Sequence, residues 1–219
     1  YGIYDIIRGT GRYLSCNSTG AESNYSGVSA FNSDGFSLGT DPGGNGSGTW
    51  VAWNWDGGSS NATNTDGSLT STVRANPTAG FSIVSWVGNR AVATVGHGLN
   101  AVPEFIIVKN RSSSTNWMCY HKDLANASTY ILLNSSNAPG SASSVWNGTD
   151  PTSTVFSVGV DSESNGDGDD MIAYCFTSVD GYSKLGSYEG NGTTDNAFVY
   201  CGFRPKFVLF RNTSTHGGD

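Results

Sequence analysis

The sequence predicts an all-β protein built from repeats of a unit of about 100 residues. Six short blocks occur twice in the same order, which indicates a duplication. Strand-forming residues cluster in short runs, and no stretch keeps the 3.6-residue periodicity of a long helix. The paired blocks are YLSCNS (13–18) with YILLNS (130–135), FSLG (36–39) with FSVG (156–159), NG (45–46) with NG (165–166), VAW (51–53) with IAY (172–174), GFS (80–82) with GYS (181–183), and PEFIIVKN (103–110) with PKFVLFRN (205–212).

The stretch 103–123 predicts a strand, a polar hairpin and a second strand. Its first half recurs near the end of the chain as PKFVLFRN, at residues 205–212. Its second half, W-x-x-Y-H at residues 117–121, has a counterpart at residues 1–5, YGIYD. The repeating unit therefore stops near the end of the chain and resumes at its start, so the repeat is cut out of phase.

Residues 1–56 are predicted as the back half of one β-unit, with strands near 1–7, 12–17, 35–39 and 49–55. An acidic, glycine-rich loop joins the last two of these strands. Residues 57–79 are rich in Gly, Ser, Asn and Thr, and they predict a surface connector with at most one short edge strand.

Residues 80–179 are predicted as one complete β-sandwich unit, and residues 180–219 as the front half of a further unit. Seven short strands separated by turn signals are typical of a sandwich or jelly roll. The two half-units can be completed by each other, by neighbouring chains or by sequence outside this chain. The absence of an initiator Met and of a secretory signal favours a fragment, a processed chain or the ordered part of something longer. The predicted strands are 81–87, 91–95, 104–110, 117–122, 129–134, 155–160 and 171–177.

The charge balance excludes two classes of partner. A net charge of −7, with scattered Lys and Arg, argues against binding to nucleic acid or to an anionic membrane surface. No apolar run approaches the roughly 20 residues that span a bilayer.

The four cysteines are predicted as free, buried thiols, because Cys119 aligns with Ile3 and Cys16 with Leu133. Free thiols fit assembly in a reducing cytoplasm.

Several blocks together resemble a repeated β-domain of marine tailed-phage virion proteins, of the tail-fibre and structural type. The resemblance covers nearly the whole chain, including IIRGTGRYLSCN at residues 6–17. It implies tandem concanavalin- or laminin-G-like antiparallel sandwiches at a virion surface, and it carries no catalytic motif. The blocks are TAGFSIVSW (78–86), ATVGHGLNAVPEFIIVKNRS (93–112), YILLNSS (130–136), PTSTVFSVG (151–159), MIAYCFTSVDGYSKLGSYEGNG (171–192) and FVYCGFRPKFVLFRN (198–212).

The acidic run at residues 161–170 contains the one candidate metal site. Asp161, Glu163, Asn165 and Asp167 imitate the start of a calcium loop, in which oxygen ligands alternate. The twelfth position of such a loop is Ile172 instead of a bidentate Glu, and the sister loop keeps only one carboxylate. A solvated hairpin tip is therefore favoured, and no cofactor other than a weak calcium ion is predicted.

The histidines give no catalytic pattern. His97 stands between two glycines and predicts a turn residue, while His121 aligns with Asp5 and predicts a hydrogen-bonding or capping role. His216 lies in a polar loop. No nucleophile elbow, phosphate-binding loop, zinc spacing or dinucleotide fingerprint occurs, so we predict no catalytic residues and no enzyme.

Two functions remain after these exclusions. The first is a virion structural protein, a repeat unit of a tail fibre, appendage or decoration layer. It would be assembled in the host cytoplasm and displayed on the particle, with itself or other virion proteins as partners. The alternative is a lectin-like module that binds a host-surface glycan. Its candidate groups are Trp50, Trp146 and the loops near Asn45 and Asn147.

Overall fold

The computed structural model describes residues 1–194 and 197–214. In this part of the chain, short strands dominate and three single-turn helices connect them. The elements are β1 (Gly2–Ile3), β2 (Arg12–Ser15), β3 (Ser23–Asn24), β4 (Val28–Phe31), β5 (Phe36–Leu38), α1 (Pro42–Asn45), β6 (Ala62–Asn64), β7 (Ser71–Asn76), β8 (Phe81–Val87), β9 (Ala93–Gly96), β10 (Phe105–Asn110), β11 (Trp117–His121), β12 (Thr129–Leu132), β13 (Gly140–Ser141), α2 (Ser143–Trp146), β14 (Val155–Val158), α3 (Ser162–Asn165) and β15 (Asp170–Phe176).

An eight-stranded antiparallel sheet, here called the main sheet, organises the molecule. Its strand order is β13-β12-β11-β10-β15-β8-β7-β6. The strand β15 lies in the middle, and its ladder with β8 runs from Asp170 opposite Val87 to Phe176 opposite Phe81. Both neighbours of β15 come from distant parts of the sequence, so the centre of the sheet is held by long-range pairing.

The inner face of the main sheet packs on a second layer. Met171, Ala173 and Cys175 alternate along β15 and are fully buried on this face. The second layer is the β9–β14 pair, which contributes Val95 and Phe156, and α2, which contributes Trp146. A large antiparallel sheet covered in this way is a β-sandwich arrangement.

The outer face of the main sheet is also covered. Ile172 and Tyr174, which alternate with the inner residues of β15, are buried on this face. Residues 1–24, here called the N-terminal segment, supply the cover, including Leu14. Because both faces are buried, β15 is almost continuously apolar instead of alternating apolar and polar residues.

Local structure in residues 1–46 repeats that of residues 117–166. The pairing of Ile3 with Leu14 between β1 and β2 is repeated by Cys119 with Ile131 between β11 and β12. The β2–β3 and β12–β13 pairings also correspond. Further repeated hydrogen bonds are Tyr25 N to Gly11 O with Ala142 N to Ser128 O, and Asp41 N to Ser26 O with Asp161 N to Ser144 O.

The helix caps repeat as well. Asp41 and Asp161 each precede a single helical turn and accept a hydrogen bond from the backbone N–H two residues later. Short polar side chains at this position satisfy a donor that the first turn leaves unpaired. The acidic start of each glycine-rich loop is therefore a helix cap.

All seven strands predicted for residues 80–179 are present, with ends that differ by at most two residues. Residues 57–79 differ from the prediction, because they hold two strands, β6 and β7, that extend the main sheet beyond β8. Val73 of β7 packs in the inner core, and the buried Ser71 hydroxyl donates to the Gly96 carbonyl of β9 at 2.8 Å. The backbone of β7 pairs with an edge of β8 that would otherwise expose unpaired groups.

The predicted strand at residues 49–55 does not form in the described residues, and two sequence copies of central strands are irregular as well. Residues 49–55 are irregular, and so are the copies of β8 and β10, at residues 182–188 and 207–212. In the main sheet, the corresponding strands β15, β8 and β10 are central and depend on each other for pairing. No helix in residues 1–194 and 197–214 is long and apolar enough to cross a bilayer.

Candidate functional site

The contact between the N-terminal segment and the outer face of the main sheet, here called the seam, is the candidate site. Leu14 is fully buried there against Trp117, Ile172 and Tyr174. The indole N–H of Trp117 donates to the carbonyl of Ser15 across the contact, at 2.9 Å. The seam therefore combines apolar packing with a hydrogen bond that fixes its register.

A buried ion pair lies inside the seam. The guanidinium of Arg8 donates from Nε to Asp5 Oδ2, and the Arg8 backbone N–H donates to Asp5 Oδ1 at 2.9 Å. The hydroxyl of Tyr174 donates to Asp5 Oδ2 at 2.7 Å and accepts from Arg8 Nη2 at 3.3 Å. The two charged side chains are 0% and 3% exposed, so the pair needs polar partners from the protein in place of water. Tyr174 of the main sheet supplies one of them.

Glu22 extends this network to the loop after β10. Its carboxylate accepts from Arg111 Nε and Nη2, each at 3.0 Å, which is a bidentate contact. It also accepts from Arg8 Nη1 at 3.3 Å. The backbone N–H of Glu22 donates to the Arg111 carbonyl at 2.8 Å, so main chain and side chain hold the same two residues together.

The network shifts the titration of its members. Burial alone would raise the pKa of Glu22, but Arg111 and Arg8 outweigh burial and hold this pKa below its usual 4.5. Burial and then the charge of Asp5 raise the pKa of Tyr174 well above 10.0. The carboxylate of Glu22 and the phenol of Tyr174 are therefore the forms that the seam stabilises.

Lys109 is a further charged group at this contact. Its side chain is fully buried, and five oxygens of neutral groups accept from Nζ, including Thr115 Oγ1 at 3.1 Å and the carbonyl of Thr19 at 3.3 Å. Burial lowers the pKa of Lys109 to about 8, against a small opposing effect of Glu163. Through these contacts the buried amine links the loop after β10 to the N-terminal segment.

The predicted calcium residues are spread over separate contacts. Asp161 Oδ1 caps α3, and Glu163 Oε1 accepts from the backbone and side chain of Asn116 at 3.0 and 2.8 Å. The buried amide of Asn165 donates to the carbonyls of residues 91 and 159 and to Asn89. In the described residues no three His, Cys, Asp or Glu side chains are grouped to hold a metal. Calcium at Asp161, Glu163, Asn165 and Asp167 stays a prediction.

The histidines lie where turns need an acceptor. His97 is fully buried, with Nδ1 accepting from the Leu99 backbone at 3.2 Å, and burial lowers its pKa. His121 Nδ1 accepts from the Asp123 backbone at 3.2 Å, as Asp5 Oδ1 accepts from Arg8. The predicted turn and capping roles are confirmed for both histidines, whereas His216 lies outside the described residues.

The four cysteines are free, as predicted. Cys119 and Cys175 are buried, and burial raises the pKa of each thiol to about 12. Cys16 and Cys201 are half-buried, so the prediction of buried thiols is wrong for these two. Cys16 lies at the margin of the seam, which leaves its side chain partly in solvent.

The two tryptophans suggested for glycan binding have different surroundings. Trp146 is buried in the inner core, in edge-to-face contact with Tyr120. Trp50 is 56% exposed, and its indole N–H donates to the Gly46 carbonyl at 3.1 Å. Of these two rings, only that of Trp50 is available to a sugar.

Two exposed apolar stretches were not recognised as a surface from the sequence. They are residues 50–55, with three exposed tryptophans, and residues 198–210, with Phe, Val, Tyr and Leu side chains up to 87% exposed. A pocket of about 320 Å³ opens beside the second stretch, between Lys184 and Tyr200. Large exposed apolar patches commonly mark interaction surfaces. The repeated sequence blocks could have predicted this surface, because both stretches contain copies of central strands of the main sheet.

No curated protein and no solved structure matches this chain significantly. The profile of one protein family, described as Domain of unknown function (DUF7483), matches residues 1–218. Because this match spans almost the whole chain, the protein belongs to the DUF7483 family.

Proposed function

We propose that this protein is a structural module of a phage virion, a repeat unit of a tail fibre, appendage or decoration layer that acts by packing and display. The resemblance of blocks such as residues 171–192 and 198–212 to virion β-domains supports the phage assignment. The proposal includes tandem concanavalin- or laminin-G-like units and assigns no catalytic role.

The seam is the observation that carries the structural part of this proposal. An ion pair, a bidentate Arg–Glu contact and a caged lysine join the N-terminal segment to the main sheet, beside a buried apolar cluster. Charged groups buried at a contact favour one geometry, because any other arrangement leaves them unpaired. A module that joins repeats in a fixed orientation needs such a contact.

The repeated local pairings support the tandem part. Residues 1–46 reproduce strand registers and helix caps of residues 117–166, although the side chains at matching positions differ. Repeat proteins gain stability from the interfaces between successive units. A unit whose neighbour covers its outer face fits that description.

The test is the location of the protein in infected cultures. Antibodies raised against the purified chain should label intact phage particles in immunogold electron microscopy, at a regular position on each particle. Mass spectrometry of purified particles should detect its peptides at stoichiometric abundance. Unlabelled particles that lack these peptides would refute the proposal. Specific binding of the chain to host polysaccharide in that case would favour the lectin-like alternative.

A further inference from the structure

In the complete unit, β10 is the strand that joins two halves of the main sheet. It pairs with β11 on one side and with β15 on the other. The sequence copies of β11 and β15 are β1 and residues 49–55, and the copy of β10 is residues 207–212. All three copies are present in this chain, but in the described residues β1 pairs only with β2, and residues 49–55 form no strand.

The apolar pattern of residues 207–212 is that of a strand buried on both faces. Ile106 and Val108 of β10 are fully buried on the inner face, and Val208 and Phe210 occupy the matching positions. Yet Phe210 is 72% exposed. Residues 50–55 show the same conflict, because Trp53 matches the buried Tyr174 and is 58% exposed. Each segment therefore has exposed apolar side chains and no partner strand, and the other segment has the pattern of that missing partner.

We propose that residues 207–212 form an antiparallel strand between β1 and residues 49–55 of the same molecule. This pairing would close a second sheet with the order β3-β2-β1-(207–212)-(49–55). The interaction surface is the free edge of β1 together with residues 49–55, and its partner is the chain's own C-terminal segment. The inference goes beyond the proposed function, since it does not require the protein to be part of a virion.

Contacts already present bring these segments together. The rings of Trp53 and Phe207 lie 6.1 Å apart. Their counterparts, Tyr174 and Phe105, are diagonal neighbours on the outer face, since Phe105 is opposite Phe176 and Ile107 is opposite Tyr174. Diagonal neighbours on one face remain within reach of aromatic side chains. The ring contact is therefore the one that the proposed register requires.

Arg211 provides an independent observation. It is the copy of Lys109, whose Nζ reaches across the seam to the carbonyl of Thr19, in the loop after β2. The guanidinium of Arg211 donates to the carbonyls of Ser135 and Asn137, each at 2.5 Å, in the loop after β12. Because β2 and β12 are copies of each other, the two cations make reciprocal contacts. Arg211 therefore lies at the position that it would occupy in the proposed strand of the second sheet.

Chain connectivity favours closure within one molecule. Trp55, at the end of the copy of β15, lies with its ring 6.0 Å from that of Phe176. The copy of β8 starts at residue 182, only a few residues after Phe176. An extended chain covers about 3.3 Å per residue, so this short connection reaches Trp55 without a second copy.

Disulfide trapping tests the register. In the pairing copied from Val108 and Ala173, Phe210 lies opposite Ala52. The variant Ala52→Cys with Phe210→Cys, made with Cys16→Ser and Cys201→Ser, should therefore form a disulfide under mild oxidation. The matched control pairs Ala52→Cys with Leu209→Cys, which points to the opposite face and should crosslink at least several-fold less.

The product distinguishes the possible partners. A crosslinked monomer whose yield is unchanged on dilution supports the inference. Crosslinked dimers that disappear on dilution, or equal yields for the two pairs, would overturn it. Hydrogen exchange of the unmodified chain adds a readout that needs no variant: amides 208–210 should exchange at least tenfold more slowly than free peptide, and exchange at the free-peptide rate would overturn the pairing. Absence of the protein from phage particles would affect only the proposed function.

Discussion

Breaking the buried ion pair in the seam should strongly destabilise the protein. Asp5→Leu leaves the Arg8 guanidinium, which is 0% exposed, with Glu22 at 3.3 Å as its remaining carboxylate. Removing one partner of a buried pair costs about 3–5 kcal/mol. Because Glu22 and two backbone carbonyls still contact Arg8, we expect a loss of about 3 kcal/mol. With a urea m-value of about 2 kcal/mol/M, the midpoint falls by about 1.5 M.

A double-mutant cycle isolates the pair. Arg8→Met should cost a similar amount, because it leaves Asp5 buried with an uncompensated charge. The double variant Asp5→Leu/Arg8→Met should be no less stable than either single variant, since an apolar pair of similar volume carries no unpaired charge. The coupling free energy should then be at least about 3 kcal/mol. Urea unfolding followed by tryptophan fluorescence measures all four proteins.

The surface pair Lys122–Asp123 is the matched control. Its atoms lie 3.0 Å apart, but its side chains are 37% and 27% exposed. The corresponding cycle with Lys122→Met and Asp123→Leu should give a coupling of about 0–1 kcal/mol. Additive effects of Asp5→Leu and Arg8→Met, within about 0.5 kcal/mol, would refute the claim that the seam holds a desolvated pair.

Three further predictions concern titration and reactivity. Glu22 has a pKa below its usual 4.5, so its contribution to stability is complete above pH 4.5 and is lost as pH falls through the lower folded value; Glu22→Gln should flatten this part of the urea-midpoint profile. Lys109 has a pKa of about 8 against the usual 10.5, so the unfolded chain binds more protons than the folded one between these pH values. The free energy of unfolding of the wild type should therefore rise by about 2–3 kcal/mol relative to that of Lys109→Met as pH increases through this window. A pH-independent difference would contradict the burial of a charged amine. Cys119 and Cys175 should resist a thiol reagent in the folded protein at pH 8, since burial raises their pKa to about 12, and all four cysteines should react in urea; rapid reaction of more than two thiols without denaturant would contradict the structure.

Sequence reasoning recovered the strands of residues 80–179 because each one is a short apolar run between turn signals. The paired blocks at residues 13–18 and 130–135 also have corresponding strand registers, in β1–β2 and β11–β12. Sequence reasoning did not identify β6 and β7, because a Gly- and Ser-rich stretch carries little apolar pattern. Only pairing with β8 makes that stretch a strand.

The network of Asp5, Arg8 and Tyr174 had no sequence signal. Asp5 was recognised as a hydrogen-bond acceptor that matches His121, and that role is confirmed. Its ion pair with Arg8 is local, but Tyr174 is 166 to 169 residues away in the sequence. A single sequence does not reveal which distant phenol satisfies a buried pair.

The amino-acid sequence by itself determined the all-β class, the positions of the seven strands predicted in residues 80–179 and the free state of the cysteines. Strand alternation has a local cause, since neighbouring side chains point to opposite faces. The tertiary structure decided that both faces of the main sheet are covered, and it placed Lys109 and Arg8 in the interior. Burial depends on which surfaces meet after folding. Most oxygens that accept from these two cations are only a few residues away in the sequence. Thr19 and Tyr174, which contact Lys109 and Arg8 from distant segments, reach them only in the folded protein.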